Sequence, residues 1–165
     1  MGGIGRLTTN KLLGILVGSG GVPETIAAFA EAQKVTMPAI STAQIIAQNA
    51  PPEIAERSTV TKYPLVCIYC SKIDNVLREK FRTFSGDASM VIEARISQDR
   101  LEDIDGNAQF YVDAITEVLD SNRGDWGDGV FYTGGYEIAF GAVKHGGRNF
   151  LQTTKISFVV EISKD

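Results

Sequence analysis

Residues 136–163 read YEIAFGAVKHGGRNFLQTTKISFVVEIS, two stretches of alternating hydrophobicity around a glycine pair. Within 150–162 one face carries Ile156, Phe158, Val160 and Ile162. The other carries Lys155, Ser157 and Glu161, interrupted by Val159. That period of two marks a half-buried strand. The partner stretch, 136–144, alternates more loosely, with Tyr136, Ile138 and Phe140 on one side. The loop His145-Gly146-Gly147-Arg148-Asn149 joins them, and its glycines can supply positive φ. A long hairpin with no catalytic-looking centre suggests a part that works by assembling with copies of itself.

Just before this hairpin, the spacing predicts a helix over 107–122. Tyr111, Ala114, Ile115, Val118 and Leu119 fall on one face; Asp113, Thr116, Glu117 and Asp120 lie elsewhere on the wheel. Asp105 or Asn107 can cap its start and Gly124 suits its end. Further upstream, the apolar run 65–70 reads as a strand covered on both faces, and 72–75 as a loop. Residues 77–84 and 90–97 read as a second hairpin turning at Ser85-Gly86-Asp87, followed by an acidic stretch over 99–105.

The first 61 residues are rich in Gly, Ala and Pro. Thr8 and Thr9 can cap a helix that runs through Val17 and stops at Gly18. Pro23 suits the first turn of a second helix over 24–33, with Ile26, Phe29 and Ala30 on one face. Met37-Pro38 breaks the chain, and 42–48 reads as a further helical piece ended by Pro51-Pro52. The order predicts one α+β domain over 1–165. Residues 1–61 form a helical N-terminal segment. Residues 62–165 form a mainly antiparallel sheet of about five strands with at least one packed helix.

Bulk properties narrow the function. A chain of 165 residues with 44% hydrophobic and 22% charged content has ordinary globular composition. A net charge of −4 lacks the cationic excess that a dedicated nucleic-acid binder uses to displace counterions. The apolar run 12–17, broken by Gly14, is far short of the roughly 20 residues a membrane span needs. No clean small-x-small cleavage site follows it closely, which argues against a signal peptide. Two cysteines and one histidine suit a reducing cytosol.

Several motifs suggest chemistry and fall short of it. Cys67-Ile68-Tyr69-Cys70 has two thiols, but a structural zinc site takes four ligands, and residues three apart on a strand point to opposite faces. Gly18-Ser19-Gly20-Gly21 lacks the Lys-Ser/Thr of a phosphate loop, and Glu24 would repel phosphate. Asp103, Asp105 and Asn107 have the spacing of calcium ligands, but Ala108 and Ala114 occupy the turn-glycine and bidentate-Glu positions. His145 has no orienting carboxylate nearby in sequence. Trp126, amid glycines and aspartates, can stack on a ligand, tuck under its own loop as an anchor, or bury against a neighbouring subunit; the last two are favoured. No catalytic, cofactor-binding or metal-binding residues are assigned.

The stretch Tyr63-Pro64-Leu65-Val66-Cys67-Ile68-Tyr69, the hairpin 81–97, the helix 110–119 and the terminal hairpin 135–162 together resemble the tail terminator (tail completion) proteins of tailed bacteriophages. The similarity covers about residues 60–163; the N-terminal segment is longer and more broken by Gly and Pro than the family's lead-in helix. The resemblance implies an α/β fold, no enzymatic activity and no cofactor. It also implies a homohexameric ring that caps the tail tube and joins tail to head. Its partners would be the tail tube protein, a neck or connector protein and, in contractile tails, the sheath. DNA would pass through without specific binding, and the protein would be made in the host cytoplasm for the virion. A mildly acidic subunit suits a lumen that must not hold phosphates. Other readings are another neck or head-tail connector component, or a small nucleotide-binding enzyme using the Gly-rich loop. For the subunit interface, the expected residues are Arg82, Phe84, His145 and Arg148, near the two hairpin turns. Asp99, Glu102 and Asp103 of an adjacent copy would face them.

Overall fold

Two helices open the chain: α1, Ile4–Val17, and α2, Val22–Gln33. A single 3-10 turn, Thr42–Gln44, leads into β1, Ile45–Ala47. There follow β2, Leu65–Asn75, β3, Phe84–Gln98, and the long helix α3, Ile104–Ser121. The remaining strands are β4, Gly124–Gly127, β5, Val130–Tyr132, β6, Glu137–Phe140, β7, Lys144–Gly146, and β8, Asn149–Lys164. This computed structural model describes residues 3–52, 62–146 and 148–165. The end of the N-terminal segment (53–61), Gly147 of the second turn and the first two residues lie outside the described residues.

The fold is α+β. Its single sheet has eight strands among the described residues, rather than about five, in the order β1-β2-β3-β8-β5-β4, with β6 and β7 also on β8. All pairings are antiparallel except β1 with β2. The spine is β3 against β8, in register from Phe84↔Lys164 to Gln98↔Phe150. The other edge of β8 is covered in turn by β7, β6 and β5.

The alternation in β8 is realised: Ile156, Phe158, Val160 and Ile162 are buried and Val159 is exposed. The predicted helix face is realised too, with Tyr111, Ala114, Ile115, Val118 and Leu119 all buried. α3 lies on β3 and β8, α1 on β1 and β2, and α2 on α3. Ile4, Leu12, Leu16, Val22 and Ile26 therefore join the same apolar cluster as the sheet.

Five local expectations are corrected. β3 runs straight through Ser85-Gly86-Asp87, and its hairpin partner is β2, which continues past Cys70 to Asn75; the connection is 76–83. Gly86 is there for close approach, not for turning: a Cβ would stand 1.9 Å from the Asp74 carbonyl oxygen. The piece 42–48 is one turn and then a strand. Gln44 receives the Ser41 amide on Oε1 (2.9 Å) and donates through Nε2 to the Pro64 carbonyl (2.7 Å), which ties it to the start of β2. α1 begins at Ile4, so Thr8 is interior and buried, and its hydroxyl donates back to the Ile4 carbonyl. α3 begins at Ile104, which puts Asp105 in its first turn, where a carboxylate suits the helix dipole. His145 lies in strand β7 across from Phe150, not in a loop.

A window within 4–33 reaches a mean hydropathy of 1.5, apolar enough by composition to cross a membrane. The backbone divides it. Gly18 and Gly21 are extended and Gly20 is left-handed, leaving helices of 14 and 12 residues, each shorter than the roughly 20 a span needs.

Candidate interaction surfaces

The β2–β3 connection carries the most exposed aromatic of the protein. Phe81 is fully exposed (101%), beside Val76, Leu77 and Ile73, all more than 40% exposed. Leu77 and Phe81 hold left-handed backbone, at φ 50 and 69, which is rare for bulky side chains. Side-chain contacts flank both positions. Arg78 grips Asp87 through its two terminal guanidinium nitrogens (2.8 and 2.5 Å). Arg82 pairs with Glu79 (3.2 Å) and Asp165 (2.5 Å). Ser163 donates to Glu79 (2.6 Å), the Glu79 amide donates to Ser85 Oγ (3.0 Å), and Asn75 bridges Thr83 and Ser85. The loop is thus tied at its base, and its apolar side chains stay in water.

A second feature sits on the sheet face opposite Ile92, Ile156 and Phe158. Register places Cys67 beside Glu93, and Glu93 beside Lys155. A cleft of about 470 Å3 opens there. Its floor holds Tyr69, Glu93, Thr153 and Lys155; Pro51, Pro52, Phe140 and Lys144 stand among its walls. Glu93 is buried and heavily partnered: the Tyr69 hydroxyl donates to Oε1 (2.9 Å), Arg95 donates to Oε2 (2.6 Å), and Lys155 Nζ lies 3.5 Å from Oε1. Arg95, only 1% exposed, also donates to the Ala50 carbonyl, while its Nε and Nη1 have no partner among the described residues. Burial and the bond to Glu93 push the Tyr69 hydroxyl up to about 12. Burial likewise raises the Cys67 thiol.

The residues expected at an interface divide between the two ends of the sheet. Arg82 is at the 76–83 end and is engaged within its own chain. Phe84 is a correction: it is 1% exposed and part of the core, so it offers nothing to a partner. The aromatic at that end is Phe81, three residues earlier. Asp99, Glu102 and Asp103 are exposed between β3 and α3, at the far end, where His145 and Arg148 are also exposed. The structure therefore groups Arg148 with the acidic connection and separates both from Arg82. His145 stacks edge-on against Phe150, with centroids 5.6 Å apart.

The motifs resolve as packing. Cys67 is buried and Cys70 half-buried on the opposite face of β2, against α1. No group of metal-competent side chains occurs among the described residues. The Gly20 amide, where a phosphate would sit, donates instead to Glu24 (2.8 Å), and a Cβ at Gly21 would collide with the Leu16 carbonyl oxygen. Trp126 is an anchor within its own chain: its Nε1 donates to the Asn122 carbonyl (2.8 Å), and its ring packs on Tyr132 and Phe158. Sequence reading missed Phe81 as a surface feature. Its signal is a lone aromatic inside Arg78-Glu79-Lys80-Phe81-Arg82. No protein-family model matches the chain, and a search of curated proteins finds no match.

Proposed function

We propose that this protein is a non-enzymatic, self-assembling structural subunit, a ring-forming tail terminator of a tailed bacteriophage. The observation that carries the reading is the apolar loop, tied at its base, with Phe81 in water. A soluble chain rarely keeps such a surface unless something covers it. Three further features support it. The helix and the terminal strands of the family resemblance are kept in order, although its strand 63–69 and its hairpin 81–97 merge into one hairpin, β2 with β3. The polar groups of the cleft are engaged with one another: Glu93 is held by Arg95 and Lys155, and Tyr69, pushed up to about 12, does not serve as a base near neutral pH. The Gly-rich joint has given its amide to Glu24, which argues against the nucleotide-binding alternative.

In this reading six copies cap the tail tube, contact a neck or connector protein, and leave a lumen through which DNA slides. Sedimentation of the purified protein over a range of concentrations, with electron microscopy of the protein and of tails, tests it. Six-fold rings, alone or at tail ends, are expected. A strict monomer absent from tail ends overturns it, and a ring at the head side of the neck assigns the protein to the connector instead.

A further inference from the structure

We draw no further inference here: the strongest candidate, the exposed apolar tip of the β2–β3 connection at Leu77 and Phe81, has its flanking Arg78 and Arg82 already paired within the chain, and nothing in the structure shows what covers it.

Discussion

Glu93 shows how a charged residue comes to be tolerated in the middle of a sheet. Its carboxylate receives Arg95 at 2.6 Å and the Tyr69 hydroxyl at 2.9 Å, with Lys155 at 3.5 Å on the solvent side. Arg95 is the partner that matters, because it is just as deeply buried and would be left unneutralised. Glu93→Gln should lower unfolding stability in urea by about 3 kcal/mol, the scale of breaking a buried pair from one side. Lys155→Met should change it by less than about 0.5 kcal/mol, since that ammonium is 55% exposed. Equal effects of the two would mean that Lys155, not Arg95, neutralises the site. Gly86 is the other residue on which the sheet depends. A methyl group there meets the Asp74 oxygen at 1.9 Å, so Gly86→Ala must push β2 from β3. The expected loss is about 1–3 kcal/mol, read from the urea midpoint, with detachment of the 76–83 loop visible as faster amide exchange.

At the scale of elements, β8 and α3 carry the core between them. In β8 the buried and exposed sides alternate residue by residue: Val160 is buried and Val159 is 46% exposed. In α3, Ile115 is fully buried against the sheet. Ile115→Ala should therefore cost about 2–5 kcal/mol, the transfer loss plus an unfilled cavity. Val159→Ala should stay within about 0.5 kcal/mol. Thermal unfolding of the two variants separates them, and a large effect at Val159 would show that this side of β8 is covered. Both elements were legible because each has its own periodicity, two for the strand and 3.6 for the helix. β3 was not. Its Ser85-Gly86-Asp87 looks like a turn, and only the neighbouring strand shows why a glycine belongs inside it. β1 was misread as helical because three residues carry too little pattern; parallel pairing with β2 determines their conformation.

For the whole molecule, three phenols are held protonated by the fold. Tyr69, Tyr111 and Tyr132 are each pushed up to about 12, chiefly by burial, from an ordinary value of 10.0. Between those values the unfolded chain has lost protons that the folded chain keeps. Stability is then unaffected by these groups below about pH 10 and falls as pH rises towards 12. Following phenolate absorbance and circular dichroism together should show these tyrosines ionising late, in step with unfolding. Ionisation of all five tyrosines near 10, with the fold intact, would contradict the burial described here.

What the amino-acid order determined by itself is whatever depends on near neighbours. The alternation of β8, the apolar face of α3, the stop at Gly18 and the break at Met37-Pro38 all follow from local geometry, hydrophobic period and backbone freedom. Only the tertiary structure decided which strands are neighbours, and the surfaces of interest depend on that. Tyr69 meets Glu93 across 24 residues, and Arg82 meets Asp165 across 83. Phe84 goes inward while Phe81 goes out, although both lie next to the same charged run. The reason is physical: burial and ion pairing are set by which backbones approach one another, and a glycine or a phenylalanine carries no record of the strand that will lie beside it.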